Sequence, residues 1–296
     1  MTARMPDPRT HIGARVRVGA GHARLLPAPA TALEGAVECE FSVLSPGTER
    51  RHLAGPNREA GYMALGRTRG AWVLAPVPHG AAFHPGHPGA VHAPPGTGLR
   101  EAALARFQMM ALLGLDRLPG TGLDGAVVVG SGPVALGCAL ELARRGARGV
   151  RVATERRHAP IGTVPGVEVV APGQARPARL VLDAAGDVVR AAALVAPGGV
   201  LGLLGTPEEN TELGAAQVHR AGWTVVGMHE LANRDAAAYQ DAYRVAAAYL
   251  SERVDGALPA AWCRIVPGER AVELYGLLGA PSRPAEPVLI LDWRPQ

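Results

Sequence analysis

The stretch from Ala126 to Arg157, AVVVGSGPVALGCALELARRGARGVRVATERR, constrains the fold of this chain more than any other. A short apolar run, Ala126 to Val129, meets Gly130-Ser131-Gly132. A helix-patterned segment follows, then a second β-rich run, Val150 to Ala153. Strand, tight glycine turn, helix and parallel strand together make the dinucleotide-binding fingerprint G-x-G-x-x-G/A, with Ala135 in the third place. Each residue type has a reason. Gly130 lets the chain turn sharply out of the strand. Gly132 has no Cβ, so a pyrophosphate can approach the backbone. Ala135 is small enough for helix and strand to pack closely. The helix N-terminus offers free N–H groups and partial positive charge to phosphates. Pro133 suits the first helical turn, where its missing N–H costs nothing. Ser131, Pro133 and Val134 complete the turn as candidate cofactor contacts. The bland alternative is a glycine-rich turn of an α/β domain that binds nothing.

Composition narrows the chemistry. The 296 residues suffice for two domains, and 48% apolar residues can build a sizeable core. The net charge is +4, but Arg, Asp and Glu are interspersed, with no basic block, so a nucleic-acid partner is not indicated. An anionic small molecule fits the same charge. Every one of the 30 basic residues is Arg. That excludes a lysine Schiff base, a lysine general base and a Walker-type phosphate lysine. Cys39, Cys138 and Cys263 are too widely spaced for a disulfide framework or a CxxC zinc site. The first 17 residues lack an apolar signal core, and no run is long enough to cross a membrane. A soluble, cytoplasmic protein is expected.

Residues 1–118 are rich in Pro, Gly and His, with strand-like runs at Ala14 to Val18, Ala36 to Val43 and Ala71 to Pro76. Turn signals such as Pro46-Gly47 and Pro94-Pro95-Gly96 separate them, predicting a small antiparallel β domain. Leu99 to Leu115 reads as a helix with an apolar face, ended by Pro119-Gly120-Thr121-Gly122. From 119 to 261 strands and helices alternate. Strands are predicted at Val167 to Val170, Leu180 to Asp183, Val200 to Leu204 and Trp223 to Val226. Pro197-Gly198-Gly199 reads as a turn, and Asn233 as the cap of a helix reaching Glu252. This is a doubly wound parallel sheet of Rossmann type, in which ligands bind at the strand C-termini. Only a loop is expected between Glu155 and Val167 in place of a crossover helix. Residues 262–296, with strands at Cys263 to Val266 and Val288 to Asp292 around a helix, are predicted to fold back onto residues 1–118. Tyr239 and Tyr243, i and i+4 on the long helix, are predicted to pack on the sheet or a partner subunit.

At this point the chain resembles the medium-chain dehydrogenase/reductase family. The blocks that carry the likeness run in order: Phe41 to Glu49 (FSVLSPGTE), Gly61 to Arg67 (GYMALGR), the turn from Gly130 to Gly137, Asp183-Ala184-Ala185-Gly186, Pro197-Gly198-Gly199 and Leu203 to Thr206. Ser-Pro-Gly-Thr-Glu, Pro78-His79 and Leu291-Asp292-Trp293 are most similar to the branch that includes bacteriochlorophyllide dehydrogenases. The resemblance implies a Rossmann sheet joined to a reduced GroES-like β domain. It implies an NAD(P)-dependent oxidoreductase acting on a small-molecule substrate, and a homodimer paired through the Rossmann sheet edge. The departures bear on mechanism. Where zinc-dependent members carry a ligand Cys this chain has Pro46, and where they carry His-Glu it has Tyr62-Met63. The four-cysteine loop is absent. The resemblance therefore implies a zinc-free member, shortened around residues 55–61 and 84–92.

Thr48 matches the hydroxyl residue the family uses to pass a proton from an alcohol; otherwise it is a turn residue after Pro46-Gly47. Tyr62 could polarise a carbonyl, or be a packed aromatic with a satisfied hydroxyl. His79 is the third candidate for acid/base work. Glu49 reads as structural, locking a turn by an ion pair with a nearby Arg. His84, His87 and His92, with His79, form a Pro- and Gly-interrupted cluster that lacks the scaffold of a metal site. Thr154, Arg156 and Arg157 end the second strand. A hydroxyl plus arginines there favours NADP(H) over NAD(H), because guanidinium forks suit a 2′-phosphate. Ala185, Gly205 and Met228, at the later strand ends, complete the candidate cofactor residues. A redox-neutral isomerase or cyclase, or a non-catalytic cofactor-binding protein, is the alternative function.

Overall fold

The computed structural model describes residues 14–27, 34–118, 120–156, 158–207, 211–230, 235–280 and 282–295. The first part of the chain runs through β1 (Ala14–Gly19), β2 (His22–Pro27), β3 (Phe41–Leu44), α1 (Pro46–Ala54), β4 (Arg58–Glu59), β5 (Met63–Thr68), β6 (Ala71–Ala75), β7 (Val91–His92) and α2 (Leu99–Leu115). The middle part holds β8 (Val127–Val129), α3 (Pro133–Arg144), β9 (Val150–Ala153), β10 (Val167–Val170), β11 (Ala178–Asp183), α4 (Val188–Ala192), β12 (Val195–Leu203), α5 (Ala215–Ala221), β13 (Thr224–Gly227) and α6 (Ala236–Arg253). The last part adds α7 (Leu258–Trp262), β14 (Cys263–Pro267), α8 (Ala271–Leu277) and β15 (Val288–Asp292).

The middle strands form one parallel sheet in the order β10-β9-β8-β11-β12-β13. In chain order that is 3-2-1-4-5-6, with the topological switch between β8 and β11. A second sheet runs β14-β15-β3-β5-β6-β7, and a three-stranded sheet runs β2-β1-β4. β15 pairs antiparallel with β3, Ile290 opposite Val43, so the C-terminal segment does complete the first domain's sheet.

α2 joins the two halves. Thirteen of its 17 residues are buried, so it is a central spine rather than a helix with one apolar face. It packs against α3 and α6. The core around it is continuous, from Phe41, Met63 and Leu65 of the first domain to Val128, Leu136 and Leu182 of the Rossmann sheet. Tyr239 and Tyr243 are buried on the α2 side of α6, not against the sheet: the Tyr243 hydroxyl donates to the Ala102 carbonyl at 3.0 Å.

Several local expectations change. The run Ala36 to Val43 is a strand only from Phe41; before it Val37 makes a single bridge to Phe83. Phe41 to Glu49 is not extended throughout, because Pro46 begins α1 and places Thr48 on a helix. Pro197-Gly198-Gly199 lies inside β12, where the register with β11 shifts, so the turn residues form an irregularity within a strand. Asp235 caps α6, its carboxylate accepting from the Ala238 N–H at 2.7 Å. Asn233 lies outside the described residues, as do Pro119 and Arg157. Among the described residues between β9 and β10, a 3-10 turn, Pro160–Thr163, is the one helical piece.

Candidate dinucleotide and substrate cleft

The glycine turn is built for close approach. Gly130 has φ +109°, and a Cβ there would touch the Ala185 Cβ at 3.1 Å, across the switch point. A Cβ on Gly132 would meet nothing within 4 Å, so this glycine faces open space at the start of α3. No side chain caps α3. Its first-turn N–H groups are thus available to an anion. Pro133 and Ala135 are buried, whereas Gly132 and Val134 are half-buried at the crevice. These features fit a dinucleotide pyrophosphate.

The end of β9 is tied to this turn. The Thr154 hydroxyl donates to Ser131 Oγ at 2.9 Å, and both residues are buried. Thr154 therefore braces the turn. Arg156 Nη1 donates to the carbonyls of Pro284 and Ala285, each at 3.2 Å, bridging the Rossmann sheet to the C-terminal segment. Burial and the neighbouring Arg50 lower the Arg156 pKa, as expected where cations gather. Glu155 turns away to pair with Arg190 at 3.0 Å.

The other strand ends divide. Ala185 is exposed at the crevice. It belongs to a loop shaped by buried Asp183, whose Oδ1 accepts from the N–H groups of Ala185, Gly186 and Asp187 at 3.0, 2.9 and 3.2 Å. Gly205 is buried, and a Cβ there would run into the Gly186 N–H, so it serves the close approach of the two loops. The Met228 side chain is 2% exposed and fills the space over Gly114 and Gly202. That side chain is core and is withdrawn from the cofactor contacts.

The three proton-handling candidates do not converge. Thr48 is half-buried on α1, with the Ser45 hydroxyl 3.4 Å away, and keeps an exposed share. Tyr62 stacks on Phe107 with ring centroids 5.4 Å apart, and its hydroxyl donates to Met110 Sδ at 3.1 Å. Burial pushes that phenol's pKa up. His79 does not line the cleft. It is 0% exposed, its Nδ1 lies 2.7 Å from Ser42 Oγ and its Nε2 lies 3.4 Å from Glu49.

Glu49 is structural, but its partners are not arginines. The Tyr275 hydroxyl donates to Oε2 at 2.9 Å, and the His79 and His52 rings approach at 3.4 and 3.7 Å. Burial raises its pKa, yet the bonds from His52, His79 and Tyr275 and the charge of His79 outweigh burial and hold it at about 2.

Two groups escape sequence reasoning. Arg51 on α1 reaches across to the carbonyls of Thr206 and Pro207, at 3.1 and 3.2 Å, strapping the first domain to the loop after β12. Arg106 and Glu230 form a buried ion pair at 2.6 Å, with the guanidinium 5.4 Å from the Tyr62 ring and 5.6 Å from the Tyr239 ring. Both pairings join residues more than 120 positions apart, which no local pattern signals. A zinc ion does not fit the donors present. Pro46 offers no side-chain ligand and the Tyr62 hydroxyl is spent on Met110. Among the described residues no three His, Cys, Asp or Glu side chains come together as a metal site. Burial pushes the Cys39 thiol up to about 12 and raises those of Cys138 and Cys263 further, so none is a ready thiolate.

No family profile and no curated protein matches the chain in sequence. Solved structures do match it in shape. Galactitol-1-phosphate dehydrogenase from Escherichia coli superposes with a TM-score of 0.71 at 14% identity, covering 94% of this chain and 99% of that one. The yhdH oxidoreductase from Salmonella enterica, in complex with NADP, gives 0.70 at 15%, covering 95% and 99%. The rspB alcohol dehydrogenase from E. coli CFT073, complexed with NADH, gives 0.68 at 14%, covering 95% and 99%. The chain has the two-domain fold of these dehydrogenases.

Proposed function

We propose that this protein is an NAD(P)-dependent oxidoreductase that works without zinc on a small molecule held between its two domains. One observation carries the reading: an uncapped helix N-terminus, opened by Gly130 and Gly132, stands at the switch point of a 3-2-1-4-5-6 parallel sheet. Gly130, Ser131, Gly132 and the α3 N-terminus would hold the pyrophosphate, and Thr154, Arg156 and Arg157 the adenosine ribose. The bound nicotinamide would supply hydride chemistry. The chain's own part is orientation and proton handling. Thr48 and Tyr62 are both half-buried, but the Tyr62 hydroxyl is spent on Met110 and His79 is fully buried, so Thr48 is the proton donor or acceptor we favour. Arg51 steadies the loop after β12 beside it. NADP(H) over NAD(H), a specialised substrate and a dimer through the exposed edge strand β13 belong to the same proposal.

Titration of the protein with NADPH and NADH, followed by cofactor fluorescence, tests the first half. No binding of either would end the reading, and much tighter NADH binding would end the NADP(H) preference. A carbonyl and alkenal panel, scored by NADPH absorbance and product together, tests the second.

A redox-neutral isomerase or cyclase is the competing reading, favoured by the full burial of His79 and the engagement of the Tyr62 hydroxyl by Met110. Product formed without net NADPH change would select it.

A further inference from the structure

Arg106 is 4% exposed, and among the described residues its guanidinium makes one hydrogen bond, from Nη2 to Glu230 at 2.6 Å. Its Nε and Nη1 atoms are buried and have no partner there. A guanidinium stays charged in a protein and carries more N–H donors than one carboxylate oxygen satisfies. Buried donors left unmet on a charged group are retained at a cost in stability. The neighbouring rings do not cover them closely. The Tyr62 and Tyr239 centroids lie 5.4 and 5.6 Å from the guanidinium carbon, against 4.1 Å for Arg67 over Trp72 and 4.4 Å for Arg294 over Phe41. The location is also that of a ligand. Glu230 lies just beyond the carboxyl end of β13, Tyr62 immediately precedes β5 of the first domain, and Arg106 and Tyr239 lie on α2 and α6. The cluster thus sits where the halves meet, at the sheet edge where ligands bind in this topology. Tyr62 is its half-buried wall. The Tyr62 hydroxyl rests on a thioether, a weak acceptor, so that wall yields to an incoming oxygen at little cost in hydrogen bonding.

We propose that Arg106 is a catalytic residue whose free N–H groups receive the carbonyl oxygen of a neutral aldehyde or ketone, with Glu230 as the positioning residue that holds its guanidinium. The inference rests on the oxidoreductase reading and deepens it by naming the group that polarises the carbonyl. The ion pair decides the substrate class. Burial raises the Glu230 pKa, but the charge and hydrogen bond of Arg106 outweigh burial and hold it below the ordinary value. The Arg106 charge is therefore already balanced. A substrate carboxylate beside the pair would add a second buried negative charge, whereas a neutral carbonyl adds none until the reaction begins. When hydride arrives at the carbonyl carbon, a C–H bond forms and the C=O π pair passes to oxygen. Arg106 holds that charge by donating to it. The oxygen then takes up a proton, ultimately from solvent, and the nicotinamide that gave the hydride is left oxidised. Arg106 gives up no proton itself.

The test is nitrogen–proton correlation spectroscopy of the arginine side chains in the full chain, with the Arg106 Nε–H assigned from its contacts to the Tyr62 and Tyr239 ring protons. Acetone is expected to shift that signal saturably in the wild-type protein. Acetate is expected to need at least about tenfold higher concentration. In Glu230→Gln, which leaves the Arg106 charge unbalanced, acetate is expected to act as readily as acetone. Turnover is the second readout, with a carbonyl that the panel shows to be reduced. Arg106→Lys is expected to lower kcat by about 10²-fold, the worth of one oxyanion donor, while binding NADPH as the wild type does. Thermal unfolding of each variant separates loss of the site from loss of the protein, and the wild-type spectra decide if a variant does not fold. Absence of an acetone shift in the wild-type protein overturns the inference. An effect of acetate equal to that of acetone makes this an anion site and overturns the substrate class. Wild-type kcat in folded Arg106→Lys overturns the catalytic role. Failure of NADPH to bind the wild-type protein, or of any carbonyl to be reduced, instead overturns the oxidoreductase reading and the catalytic role with it, while the acetone shift still reports whether Arg106 receives a carbonyl.

Discussion

Thr48 and Glu49 are adjacent on one turn of α1 and do opposite work. Thr48 keeps an exposed share beside the cleft, whereas Glu49 is sealed under Tyr275, His52 and His79. Thr48→Ala is therefore expected to lower kcat by about 10²-fold, the usual worth of a positioned proton-transfer group, while Thr48→Ser retains most of it. Steady-state kinetics on whatever substrate the panel identifies checks this. Glu49 leads to a pH prediction. Its folded pKa, about 2, lies below the ordinary 4.5. Its contribution to stability is present above pH 4.5 and is lost as pH falls through that window toward 2, because the unfolded chain takes up the proton first. Glu49→Gln should flatten the dependence of the urea midpoint on pH between about 5 and 2. An unaltered slope in the variant would show that other carboxylates govern acid unfolding.

At the scale of elements, what the sequence shows depends on the range of the interaction that decides it. α2 and β15 follow their predicted bounds, Leu99 to Leu115 and Val288 to Asp292, because composition and flanking turn residues decide them locally. The Rossmann strands and the fingerprint were legible for the same reason. α1 is hidden from the sequence: Pro46-Gly47 is a turn signal in isolation, and only the extended N-cap Ser45 after buried β3 makes Pro46 a first helical residue. β2 and β5 escape the sequence reading, one with no buried residue and the other interrupted by Gly66. Gly66 sits where a Cβ would run into the Glu38 carbonyl, a tertiary reason no window contains. His79 matched a family word, Pro-His, yet its burial follows from Ser42 and Glu49 more than 29 residues away. The helix pair α2 and α3 yields its own prediction. A Cβ on Gly137 would collide with the Phe107 carbonyl, backbone that cannot move aside cheaply. Gly137→Ala should cost about 1–3 kcal/mol despite the better helix propensity of alanine, read as a drop in the denaturant midpoint.

For the whole molecule, two arginine straps span the halves: Arg51 to the loop after β12, and Arg156 to the segment before β15. Arg51→Ala is expected to speed amide exchange at Gly205 and Thr206 by about tenfold, through loss of its two hydrogen bonds to the loop, without a comparable change in β8 or β11. Uniform acceleration across the sheet would instead mean that Arg51 supports global stability.

The place of β15 has a consequence for how the protein comes into being. It is the latest strand in the sequence, yet it lies inside its sheet, flanked by β3 and β14. A ribosome releases β3, β5 and β6 long before their missing neighbour. Until β15 arrives, the free edge of β3 is an open template for other nascent chains. The six strands of the parallel sheet, by contrast, emerge in one uninterrupted block, from Val127 to Gly227. The Rossmann half can thus assemble before the first sheet is complete, and a chaperone that covers β3 during translation would serve this protein more than one that acts after release.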